Sequence, residues 1–170
     1  AAPPQRIISL TPHLTELLYD IGAGDRIVAT DDASDFPPEV APLPRVANYR
    51  SINLEALLAQ KPDLVVAWRS AQSRMLAPVE KLGIPVFYSE PTDFASRAPE
   101  MRSLGHLLGL TPRADEQARA YLTRLDALAA RYGEPKPLSV FYQLWYPPLT
   151  SVNNSTWPGQ AITLCGGRNI

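Results

Sequence analysis

Metal or nucleophilic chemistry in this chain would have to come from two histidines, one cysteine and a small group of aspartates. His13 stands at a predicted helix start just beyond a strand end, where it could face a ligand or a metal. Asp31, Asp32 and Asp35 could hold a cation. A metal-dependent hydrolase is the activity those four residues would support. Against it, His106 lies far along the chain in a predicted helix, so the two histidines form no local ligand pair, and loop carboxylates are commonly just solvated. Cys165 has no evident base, and the glycines that follow it suit a helix stop better than a nucleophile. GxSxG, HExxH, Walker and strand-following GxGxxG patterns are all absent from the sequence.

Binding chemistry is better represented. Tyr49 lies in a loop before a capped helix, Trp68 follows four apolar residues, and Trp145 and Tyr146 follow another apolar run. Each sits at a predicted strand end or in the adjoining loop, where a large ring is not needed to fill a core. Rings with a few polar groups beside them are how proteins grip flat or apolar ligands, the alternative being that they pack beneath loops. Arg50 and Arg69 adjoin Tyr49 and Trp68 and would serve an anionic ligand.

The elements that must position these residues are legible from periodicity. In residues 52–68, Asn53 can cap a helix whose stripe is Leu54, Leu57 and Leu58, and Lys61-Pro62-Asp63 stops it. Leu64 to Ala67 then reads as a strand covered on both faces, with Trp68 and Arg69 beyond its carboxyl end, where open α/β sheets bind ligands. Before it come a strand at 6–10, a helix begun by Thr11-Pro12, a strand at 26–29 and a polar stretch from Thr30 to Asp35. After it come a helix near 72–82 stopped by Gly83, a strand at 84–88 and a helix near 93–108. Alternating strands and helices predict parallel strands and an α/β lobe over residues 1–110. From Thr111 to Tyr132 the helical pattern is unbroken, predicting a strut roughly 30 Å long over 111–133. Residues 134–170 would begin a second α/β lobe with a strand at 138–144 and a helix at 158–164. That stretch is too short to be stable alone, so the second lobe is expected to be truncated. Its strand, lacking neighbours, would invite self-association.

Composition excludes other classes. The 170 residues carry a net charge of −1, against nucleic-acid or anionic-membrane binding, and no run is long enough to insert in a membrane. The Ala1-Ala2-Pro3 start looks like what remains after a signal peptide is removed, pointing to export.

The runs NLEALLAQKPDLVVAWR (53–69), IISLTPHLTELLYDIGAGDRIVA (7–29) with SDFPPE (34–39), and CGGRNI (165–170) resemble the periplasmic vitamin B12-binding proteins of cobalamin ABC importers. These belong to a wider group of siderophore-, haem- and cobalamin-binding proteins. NLE…KPDLV marks the wider group, while AWR, Pro147-Pro148 and CGG…NI favour the cobalamin branch. The resemblance implies no enzyme and no cofactor. It implies two α/β lobes joined by one helix in a periplasmic protein, with cobalamin as transported ligand between them and little closure. Tyr49 stands where the family has a tryptophan and Trp68 where it has another cleft aromatic. Leu149 replaces a phenylalanine and Ala33 a tyrosine, so a different corrinoid, a siderophore or haem stays open. Trp145 and Arg69 adjoin the same positions. The resemblance also implies that Glu55 docks on arginines of the membrane permease, the alternative being a solvated glutamate.

Overall fold

The computed structural model describes residues 2–133 and 136–170. The strands are β1 (Ile7–Ser9), β2 (Ile27–Asp31), β3 (Arg45–Ala47), β4 (Leu64–Trp68), β5 (Val86–Ser89), β6 (Leu138–Val140) and β7 (Gly167–Asn169). The α-helices are α1 (Pro12–Asp20), α2 (Leu54–Ala59), α3 (Arg69–Lys81), α4 (Arg97–Leu107), α5 (Thr111–Tyr132) and α6 (Trp157–Leu164). The protein is α/β, and it divides into two compact units. The first comprises residues up to Glu90 with Glu100–Gln117, and the second Pro91–Pro99 with Ala118–Ile170.

In the first unit all five strands are parallel, in the order β3-β2-β1-β4-β5. β4 pairs with β1 on one side and β5 on the other, so Leu64, Val65, Val66 and Ala67 are almost wholly buried. Alternate residues of a strand point to opposite faces, so burial of all four means that both faces are covered, which is the physical content of the LVVA run. α2 forms as its sequence predicts: Asn53 Oδ1 accepts the Ala56 N–H at 3.0 Å, and Leu57 is fully buried. α1 keeps Pro12 at its first position and buries Leu14, Leu17 and Leu18. Thr11, however, does not cap α1 with its side chain; its hydroxyl turns to His13 Nδ1 instead, at 2.9 Å. α3 ends at Lys81, and two residues on Gly83 turns the chain with a φ of +79°, a conformation that favours glycine.

Several boundaries differ from the sequence reading. β2 runs on through Thr30 and Asp31, both buried, because the edge strand β3 pairs there. β3 itself has no recognisable pattern, being three residues long; Arg45 anchors it through its guanidinium, which donates to Thr30 Oγ1 at 2.6 Å and the Asp31 carbonyl at 2.9 Å. α3 starts at once after β4, at Arg69 rather than Gln72.

α4, which runs from the second unit into the first, starts later than predicted, because Asp93 and Ser96 form a turn. Asp93 Oδ1 accepts the Ser96 N–H at 2.7 Å, and Ser96 Oγ accepts those of Thr92 and Asp93. α5 has the predicted bounds. Thr156 caps α6 by accepting the Gly159 N–H, and Cys165 ends it. The predicted strand 138–144 is corrected to its first three residues, since Phe141 to Leu144 leave the sheet. Nor does it lack a neighbour: the chain returns through α6 and pairs β7 alongside β6 in parallel. Among the described residues no helix is long and apolar enough to cross a membrane.

Candidate functional site

A cavity of about 660 Å³ opens in the first unit beyond the carboxyl ends of four strands. Leu10, Thr11 and Pro12 line it after β1, Asp31 to Ala33 at the end of β2, and Asn48 to Arg50 after β3. Trp68 ends β4, and Ala71 and Gln72 follow on α3. Strand order reverses between β1 and β4, the first leading toward β2 and β3 and the second toward β5. Such a switch point leaves a crevice because successive connections depart in opposite directions.

Two of the expected ligand residues meet here. Tyr49 is 82% exposed at the tip of a turn. Asn48 Oδ1 holds that turn by accepting the N–H groups of Arg50 and Ser51 at 2.8 and 2.9 Å. The Arg50 guanidinium lies 5.0 Å from the Tyr49 ring centre, and both residues line the cavity. Trp68 is 37% exposed. Its N–H donates to Gln72 Oε1 at 2.8 Å, and its ring meets His13 edge-on at 6.1 Å.

His13 serves this wall from behind. Ser89 donates its only hydroxyl proton to Glu100 Oε2 at 2.7 Å, so at the 3.1 Å contact between His13 Nε2 and Ser89 Oγ the histidine is the donor. That fixes the tautomer of a neutral ring and leaves Nδ1 to accept from the Thr11 hydroxyl. Asp31 is likewise engaged in its own turn, accepting the Ser34 hydroxyl and the Ala33 N–H. Among the described residues no three His, Cys, Asp or Glu side chains are grouped to hold a metal, so His13, Asp31, Asp32 and Asp35 do not assemble the hydrolase site the sequence allowed. His106 and Cys165 are exposed.

Arg69 is not among the residues that line this cavity. As the first residue of α3 it lays its guanidinium 4.6 Å from the centre of the Tyr88 ring. Burial raises the Tyr88 pKa and Glu80 raises it further, while Arg69 opposes them. In the second unit, Trp145 and Leu149 are 66% and 60% exposed on a turn where Thr150 N–H donates to the Trp145 carbonyl at 3.0 Å. Glu55 is exposed in the first turn of α2. Residue types alone did not single out Asn48 or Gln72, although Asn48-x-x-Ser51 carries an Asx-turn signature that could have been read.

Comparison with known proteins agrees with this architecture. The family model described as "Periplasmic binding protein" matches residues 7–170. The vitamin B12-binding protein of Vibrio campbellii is 37% identical over 169 residues, covering 99% of this chain and 62% of that protein. Its counterpart in Yersinia pestis is 37% identical over 171 residues, covering 100% and 61%. The chain therefore spans about three fifths of the length of these curated relatives. Among solved structures, the periplasmic vitamin B12 binding protein BtuF of Vibrio cholerae superposes with a TM-score of 0.88 at 36% identity, over 99% of this chain and 67% of that one. A periplasmic haem-binding protein of Pseudomonas aeruginosa gives 0.84 at 25% identity, over 98% and 62%. Matched by that family model over nearly its whole length, this chain, with its parallel sheet and the crevice at the switch point, belongs to the periplasmic binding protein family.

Proposed function

We propose that this chain belongs to the substrate-binding component of an ABC importer and captures cobalamin or a related corrinoid in the periplasm for delivery to a membrane permease. The observation that carries this reading is the pairing of Tyr49 and Trp68 in one cavity beyond the strand ends. A corrin is a broad, largely apolar macrocycle fringed by amides. Exposed rings suit its face, and the polar groups of Asn48, Arg50 and Asp32 suit its fringe. The cavity volume lies within the range of small-molecule sites. The names of the relatives at 37% identity favour a corrinoid over other flat ligands. Trp145 and Leu149 belong to the proposed ligand set as exposed apolar side chains on a closed turn, and Glu55 is the proposed permease contact.

Isothermal titration of the protein with cyanocobalamin tests this reading. One-to-one binding in the micromolar range or tighter supports it, and no heat at those concentrations sinks it. Haem or a ferric siderophore is the second reading, favoured by Arg50, which lines the cavity and whose guanidinium would pair with a carboxylate. Haemin and siderophore titrations beside the cobalamin one separate the two.

A further inference from the structure

The last hydrogen-bonded rung between β1 and β4 is the Leu10 N–H donating to the Val66 carbonyl at 3.0 Å. In a parallel ladder the next rung would join the Trp68 N–H to the Leu10 carbonyl. Those two groups do not meet. The Gln72 carboxamide stands between them: Oε1 accepts the Trp68 N–H at 2.8 Å and Nε2 donates to the Leu10 carbonyl at 2.7 Å. Gln72 is only 6% exposed, so both bonds are shielded from water. The side chain acts as an inserted amide that satisfies both strands while keeping them apart.

We propose that Gln72 is a positioning residue for ligand capture, wedging β1 and β4 apart at the switch point so that Trp68 faces the cavity. The ligand part of this inference rests on the corrinoid reading above; the placement of Trp68 does not. Without the wedge the two backbone groups are free to complete the rung, which would draw Trp68 toward Leu10 and narrow the crevice. The fold tolerates that exchange, because one direct hydrogen bond replaces two indirect ones. Affinity does not, because the Trp68 ring leaves its contact.

Gln72→Ala and Gln72→Glu test the wedge, each alone and combined with Trp68→Leu. Trp68→Leu also assigns the Trp68 indole signal in a ¹H–¹⁵N spectrum. The expected result for Q72A is a displaced Trp68 indole resonance with those of Trp145 and Trp157 in place. Cyanocobalamin affinity should fall about fivefold, a loss that vanishes in the Trp68→Leu background. Q72E keeps the acceptor but loses the donor when ionised. Its carboxylate still stands between the strands but repels the Leu10 carbonyl, so affinity and indole shift should depart from the parent while the carboxyl is ionised and return toward it on acidification, as the protonated carboxyl again donates to Leu10. An unmoved Trp68 resonance in both variants overturns the proposal, as does an affinity loss of equal size without Trp68. If the parent binds no cyanocobalamin, the corrinoid reading fails, and the indole shifts alone still decide whether Gln72 places Trp68.

Discussion

Tyr49 and Trp68 are both proposed to grip ligand, but they are held in different ways and should respond differently to mutation. Tyr49 is presented by a turn and is 82% exposed, so Tyr49→Ala should leave the melting temperature unchanged while weakening cyanocobalamin binding about tenfold in calorimetry. Trp68→Ala should cost affinity similarly and some stability too, since its ring packs on His13. The tyrosines set an alkaline limit. Burial first, then Glu39 and Asp25, raises the Tyr19 pKa; burial first, then Glu80, raises that of Tyr88. Burial also raises Tyr121, with Asp93 adding to it against Arg97. A group that holds its proton more tightly when folded stabilises the protein below its unfolded value, near 10 here, and that contribution is lost as pH climbs past it. Thermal melts at pH 8 and pH 10.5 should therefore show a lower melting temperature at the higher pH.

Among the elements, the α2 to β4 segment is where local and tertiary signals agree. Asn53→Ala should destabilise the protein by about 1 kcal/mol by removing the acceptor for Ala56 N–H, and Leu57→Ala by about 3 kcal/mol by opening a hole beneath fully buried packing. Urea unfolding measures both. Gly83→Ala has open space for its Cβ but a φ of +79°, so its cost of about 1 kcal/mol is conformational rather than steric. At Gly105 the reverse holds: an added Cβ would collide with the Ala114 side chain, so α4 and the start of α5 approach closely only because that position is bare. Among the strands, the ones that sequence reading misjudged are the short ones. β3 and the ends of β2 and β6 carry too few residues for a period, and pairing partners fix their limits.

For the whole molecule, capture and delivery should be separable. Glu55 is exposed on α2 and lines none of the Tyr49–Trp68 cavity. Glu55→Ala is predicted to bind cyanocobalamin as the parent does, yet to lose affinity for the permease in a pull-down or surface-binding assay. Equal permease binding by the two proteins would return Glu55 to an ordinary solvated carboxylate. The division into a 1–110 lobe, a 111–133 strut and a 134–170 second lobe remains the proposed frame for such work.

The sequence by itself determined the α/β class, the doubly buried LVVA strand, the capped α2, the bounds of α5 and the family. Each is encoded locally: apolar periodicity, a cap three residues before the N–H it accepts, or a contiguous motif. It also placed Tyr49 in a loop and Trp68 at a strand end, without showing that the two converge. Only the tertiary structure decided that they share a cavity, that Arg69 stacks on Tyr88, and that His13 supports Trp68 rather than a metal. The physical reason is sequence separation. Gln72 reaches the Leu10 carbonyl across 62 positions and His13 reaches Ser89 across 76, and such bonds depend on which strands become neighbours. Strand order is set by burial summed over the whole sheet, and no short window of residues contains it.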